Sequence, residues 1–151
     1  MPDFSIEKKF SDPVIGLDEV GRGPLAGPVI SCGCYFKNYT IQEDFYNLIG
    51  DSKKLSEKKR TISFKFLKNL KQQDIIDYHL GIATVEEIDK LNILEATKLS
   101  MKRVVDKFNL QSAQLIIDGN FSLNYKSYKE QSVIKGDDKS LSIAAASIIA
   151  K

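Results

Sequence analysis

GLDEVGRGPLAGPV, residues 16–29, sets two adjacent carboxylates, Asp18 and Glu19, at the exit of an apolar stretch and just ahead of a glycine-arginine-glycine turn. Residues 14–17, Val-Ile-Gly-Leu, read as a short buried strand that runs out into Gly21, Arg22 and Gly23. Side chains alternate across a strand, so neighbouring acids converge on one point only if the backbone changes direction between or just after them. Gly21 and Gly23 permit such a change, and without a Cβ they let the backbone approach a ligand closely. Arg22 offers a planar fork suited to phosphate. GRGPLAG has neither the GxxxxGK(S/T) nor the GxGxxG spacing, so a phosphate-loop or dinucleotide-binding protein is not indicated.

Outward from this stretch, residues 28–36 are rich in Val, Ile, Cys and aromatics and read as a second strand paired to the first through the turn. Ser56 is placed to cap a helix with Ile62, Phe66 and Leu70 on one face. Residues 74–82 read as a third strand, in which His79, the only histidine, is a strand residue with no motif around it. Thr84 and Glu87 have capping-box spacing, and the helical pattern that follows puts Leu94, Met101, Val105 and Phe108 on one stripe. Residues 114–117 form a short apolar strand ending in Asp118-Gly119, residues 132–135 another ending in Gly136-Asp137, and residues 141–151 an Ala/Ile-rich helix. Strands, helices, then further strands and a helix predict an α/β layered domain with a mixed sheet.

The chain has 151 residues, 42% of them hydrophobic and 28% charged, which suits one globular domain with one core. Residues 1–10 contain no apolar run, so neither a signal peptide nor a membrane span is drawn there, and a cytoplasmic monomer is expected. Cys32 and Cys34 alternate onto one strand face with poor vectors for a disulfide and too few companions for zinc; they are expected to be buried thiols. The formal charge of +2 is unevenly spread. Residues 52–71 carry eight Lys and Arg against Glu57 alone, leaving the remainder acidic, as expected of a protein that meets a polyanion on one side and holds cations elsewhere.

Asp118 repeats the logic of Asp18: a carboxylate that ends a buried strand ahead of a glycine. Were the two strands neighbours, Asp18, Glu19 and Asp118 would meet at one sheet edge, where mutual repulsion raises their pKa values unless a divalent cation neutralises them. Oxygen-only donors favour Mg²⁺ or Mn²⁺, and two such ions about 4 Å apart are the arrangement that hydrolyses phosphodiesters.

Five motifs in order carry a family resemblance: GLDEVGRGPLAGPV, DSKKL (residues 51–55), NILEATKLSM (92–101), IIDG (116–119), and KGD with SIAAASIIAK (135–151). Over residue 15 to the end the chain resembles ribonuclease HII. The resemblance implies a ribonuclease H-like mixed β-sheet flanked by helices. The implied enzyme hydrolyses the RNA strand of RNA/DNA hybrids, nicks at ribonucleotides embedded in duplex DNA, and leaves 5′-phosphomonoesters with Mn²⁺ or Mg²⁺ as cofactor. It implies that Asp18, Glu19 and Asp118 are the metal-binding catalytic acids, that Gly21, Arg22 and Gly23 read the ribose 2′-hydroxyl, and that Lys53 contacts phosphate. Lys135, Gly136 and Asp137 match a supporting motif.

The family carries a fourth carboxylate just past the SIAAASIIAK segment, then a helical region with a substrate-contacting tyrosine. This sequence ends at Lys151, with Asp137 and Asp138 as its late acids. Residues 1–151 are therefore expected to be a single catalytic domain without that helical region, with apolar surface uncovered around Ile148 and Ile149. Such a chain would be feebly active, the alternative being a face that binds nucleic acid without cutting it.

Overall fold

The computed structural model describes residues 2–21, 27–40, 48–49 and 56–151. The strands are β1 (Val14–Val20), β2 (Val29–Phe36), β3 (Ile76–Ala83), β4 (Gln114–Asp118) and β5 (Lys129–Val133). Four helices lie among the described residues: α1 (Glu57–Gln72), α2 (Val85–Leu91), α3 (Ile93–Asp106) and α4 (Leu141–Ala150). The sheet order is β3-β2-β1-β4-β5. β2 pairs antiparallel with both β1 and β3, whereas β1 with β4 and β4 with β5 run parallel. This is the mixed sheet flanked by helices that the sequence predicts.

β1 is central and covered on both sides, which is why it reads as nearly continuous apolar sequence. Ile15 and Leu17 enter one layer with Met101, Val104 and Val105 of α3 and with Leu115 and Ile117 of β4. On the other face, α4 packs on β1 and β2 together with Leu67 and Leu70 of α1, Phe4 from the N-terminal segment, and Cys32 and Cys34. Both cysteines are free thiols, and burial pushes their pKa values up. Every residue of α4 is buried, as fits a helix apolar all round. Ile148 and Ile149 are only 3% and 5% exposed, so the expected uncovering of apolar surface there is not found. Among the described residues no helix is long and apolar enough to cross a membrane.

The structure differs from the sequence reading in several places. The last strand is Lys129–Val133 rather than residues 132–135; a polar strand at a sheet edge carries little apolar signal, and Ile134, which supplied it, is 64% exposed. The buried face of α1 is Ser63, Leu67 and Leu70, with Ile62 48% exposed, because α1 meets the core with a face turned by one position. The helical pattern after Thr84 is broken at Asn92, whose φ of 78° ends α2 and whose side chain accepts the Glu95 N–H at 3.0 Å to start α3. Met101, Val105 and Phe108 are buried as expected, while Leu94 is half-buried. His79 lies within β3, edge-on to Phe108, with Nε2 3.2 Å from Asp77 Oδ2.

The Thr84–Glu87 capping box is present, and it recruits α3: Arg103 donates to both Glu87 oxygens, at 2.7 and 2.5 Å, and to the Ile82 carbonyl. The Arg103 hydrogen bonds, then the Thr84 N–H, hold the Glu87 carboxyl at about 2 against an ordinary 4.5. A depressed folded pKa means stabilisation present above 4.5 and lost as pH falls toward about 2. Arg103→Met should return the Glu87 titration toward its ordinary value in a carbon-detected NMR titration. It should also shrink the melting-temperature difference from the parent below pH 3; an unmoved Glu87 titration would contradict the pairing.

Candidate active site

Parallel pairing of β1 with β4 aligns Leu17 with Ile117, so the next residues, Asp18 and Asp118, stand side by side where that pairing ends, at the last residue of β4 and two residues before the end of β1. Ligand sites in α/β sheets favour this crevice beyond the carboxyl ends of parallel strands. Asp18 shares its sheet face with Cys32, its β2 partner, beneath α4, and is 7% exposed. Its Oδ1 accepts the Glu19 N–H at 2.8 Å. Asp118 Oδ1 accepts the Gly136 N–H at 2.8 Å, from the turn Gly136–Asp138 that leads into α4.

Burial first, then the charge of Asp118, then that of Glu19, push the Asp18 carboxyl well above the usual carboxylate range. These acids sit close enough to resist joint ionisation. A cation would relieve the repulsion, and the oxygen-only donors suit a hard ion.

β1 remains a strand through Val20, so of the two possibilities the sequence allows, a turn between the acids or just after them, the first is not found. Glu19 therefore belongs to the opposite pleat from Asp18, paired with Ser31, and acts on Asp18 through its charge. Among the described residues, no three His, Cys, Asp or Glu side chains converge as a metal-ligand set; Asp18 with Asp118 is the assembled pair. The turn comes at Gly21, whose φ is 102° and where a Cβ would lie 2.5 Å from the Pro28 carbonyl oxygen. Arg22, Gly23 and Lys53 lie outside the described residues.

The basic block partly becomes the exposed side of α1, where Lys58, Lys59, Lys65 and Lys68 face solvent. Lys71 is engaged internally, donating to the Tyr78 carbonyl at 2.6 Å and lying 3.7 Å from Asp77. Arg60 helps line a groove of about 480 Å³, with Val20, Ile30 and Phe64 along its walls. Asp137 is buried in the turn next to Gly136, and Asp138 is exposed. Glu7, fully buried at the start of α4, was not signalled by any motif.

A five-stranded mixed sheet with two acids paired at the ends of adjoining parallel strands, helices on both faces, defines a ribonuclease H-like α/β domain. The ribonuclease HII family model matches residues 15–151. Ribonuclease HII of Wolbachia pipientis subsp. Culex pipiens is 45% identical over 150 residues, 99% of this chain and 72% of its own length. The chain belongs to the ribonuclease HII family, a family of nucleases. Among solved structures, ribonuclease H2 from Pyrococcus horikoshii superposes with a TM-score of 0.70 at 27% identity, over 91% of this chain and 70% of that one. Bst-RNase HIII in complex with Mn²⁺ superposes with a TM-score of 0.63 at 20% identity, over 93% of this chain and 51% of that one, a likeness of fold.

Proposed function

We propose that residues 1–151 form a single catalytic domain of a divalent-metal-dependent endoribonuclease, one that hydrolyses the RNA strand of RNA/DNA hybrids and nicks at ribonucleotides within duplex DNA. The observation that carries the reading is the pairing of Asp18 with Asp118 where the β1–β4 ladder ends, since a buried acid held beside a half-buried one calls for a cation. Family membership supports the substrate class. The Mn²⁺ in the Bst-RNase HIII structure belongs to that protein but agrees with the oxygen-only donors here.

In this reading Asp18 and Asp118 hold the metal, and Glu19 adds the third negative charge from the neighbouring pleat. A divalent ion supplies Lewis acidity to the scissile phosphate and makes water nucleophilic at neutral pH. The Gly136 N–H keeps Asp118 Oδ1 from swinging away. Gly21, Arg22 and Gly23 would bring backbone amides and a guanidinium to the ribose 2′-hydroxyl and its phosphate, and Lys53 with the α1 lysines would neutralise flanking phosphates.

The test is cleavage of three labelled duplexes, RNA/DNA, DNA with one ribonucleotide, and all-DNA, in Mg²⁺, Mn²⁺ or EDTA. Cuts at ribonucleotides alone, leaving 5′-phosphate ends and lost in EDTA, are expected; equal cutting of all-DNA, or cutting in EDTA, would overturn the reading.

A second reading, a face that binds the same duplexes and cuts them weakly, is favoured by the absence of a three-acid ligand set among the described residues. In this second reading the residues keep duplex binding in a gel-shift assay but cut about two to three decades more slowly than the Wolbachia relative, the scale of one lost electrostatic contact. Equal rates side by side would overturn this second reading.

A further inference from the structure

We propose that Glu7 is a positioning residue for the acid pair: it holds the start of α4 and the turn before it, from which the Gly136 amide orients Asp118. The catalytic part of this inference rests on the reading of Asp118 given above; the structural part does not.

Glu7 precedes the residues that match the family model and is 0% exposed. Its Oε2 accepts from Ser140 Oγ at 2.8 Å and from the Ser142 N–H at 3.0 Å. Ser140 caps α4, its Oγ accepting the Ile143 N–H at 3.2 Å, and its own N–H donates to the Gly136 carbonyl at 2.8 Å. The Gly136 N–H then donates to Asp118 Oδ1. A continuous run of hydrogen bonds thus leads from Glu7 through Ser140 and Gly136 to the site.

A buried carboxyl group is costly unless its polar atoms are met; here Oε2 has two donors and the positive end of a ten-residue helix, while Oε1 is buried without a hydrogen-bond partner among the described residues. A plain anchor for the N-terminus would not require a buried hydrogen-bond acceptor, because Phe4 already packs against Phe36 with ring centroids 5.0 Å apart and the Leu141 N–H donates to the Asp3 carbonyl. The turn sits close against both the helix and the site. A Cβ on Gly136 would come 2.6 Å from Ile143 Cδ1 and 3.3 Å from Asp118 Oδ1, so movement of the first turn of α4 passes straight to Asp118.

The experiment compares the parent with Glu7→Asp, whose carboxylate is withdrawn by one methylene, and Glu7→Gln, which keeps an oxygen in place. Amide exchange is followed by NMR in the metal-free protein, and kcat and KM are measured with Mn²⁺ on the ribonucleotide duplex. In Glu7→Asp the Gly136 amide should exchange about tenfold faster, the effect of losing about one hydrogen bond, with Leu17 and Ile116 unchanged. Its kcat should fall by a similar factor of about ten at constant KM, and Glu7→Gln should recover most of both. Unchanged exchange at Gly136, or acceleration of Leu17 and Ile116 by the same factor, would overturn the inference and leave Glu7 an ordinary anchor. If Glu7→Asp does not fold, Ser140→Ala, which cuts the same run at its second member, is judged by the same criteria. A parent that cuts nothing would refute the functional reading, while the exchange data would still decide whether Glu7 orients Asp118.

Discussion

Asp118→Asn is expected to lower metal-dependent cleavage by about three decades and, at the same time, to make the metal-free protein more stable at neutral pH. Both effects come from the charge that Asp118 places beside Asp18. The amide oxygen of Asn can still accept the Gly136 N–H, so the turn before α4 should survive while the charge is lost. Burial and the Asp118 charge raise the Asp18 carboxyl above its ordinary 3.8, so the folded state binds a proton that the unfolded chain releases. Stability contributed by Asp18 is therefore greatest below 3.8 and declines as pH rises toward the raised folded value. Removing Asp118 removes part of that decline. The variant should gain about 2–4 °C of melting temperature per kcal/mol relieved, more at pH 7.5 than at pH 4. Calorimetric Mn²⁺ titration should show weakened binding alongside the lost cleavage. Parent-like Mn²⁺ affinity would place the metal elsewhere, and a melting-temperature gain independent of pH would mean that the two acids do not share a proton.

Gly16→Ala should cost about 2–4 kcal/mol and lower the melting temperature by about 5–15 °C, the largest stability loss expected of any single added methyl on β1. A Cβ there would lie 2.6 Å from the Ser142 carbonyl carbon and 2.7 Å from the Ile143 nitrogen. Carbon contacts are comfortable at about 3.5–4.0 Å, and the obstacle is helix backbone, which has no rotamer to change. α4 must back away from β1, and its first turn is tied through Ser140 and Gly136 to Asp118, so cleavage should fall with stability. Gly27→Ala, where a Cβ would meet nothing within 4 Å among the described residues, is the matched control and should be nearly neutral. If the two variants melt together, the close approach of α4 to β1 is wrong.

The class of fold, and Asp18 and Asp118 as acids that close apolar runs, were legible because their signals are local. Apolar runs of strand length, each closed by an acid at Asp18 or Asp118, state where strands lie, although β1 goes on to Val20, and the Thr84–Glu87 spacing states where a helix starts. Elements without such a signal were misplaced. β5 is polar because it lies at an edge, and the buried face of α1 depends on which side α4 presents to it. The register that puts Asp18 beside Asp118 is a long-range pairing that no stretch of sequence encodes alone; it follows from burying Ile15, Leu17, Leu115 and Ile117 together under α3. The same pleat that secures this burial turns Glu19 to the other face, which adjacency in the sequence had suggested otherwise. Residue types and spacing alone determined the α/β class, the ribonuclease HII resemblance and the candidate acids. Only the tertiary structure decided which acids meet, that the Gly136 amide holds one of them, and that Glu7, remote in sequence and outside every motif, lies at the head of the helix behind them, because hydrogen bonds and close packing act through space and leave no periodic trace along the chain.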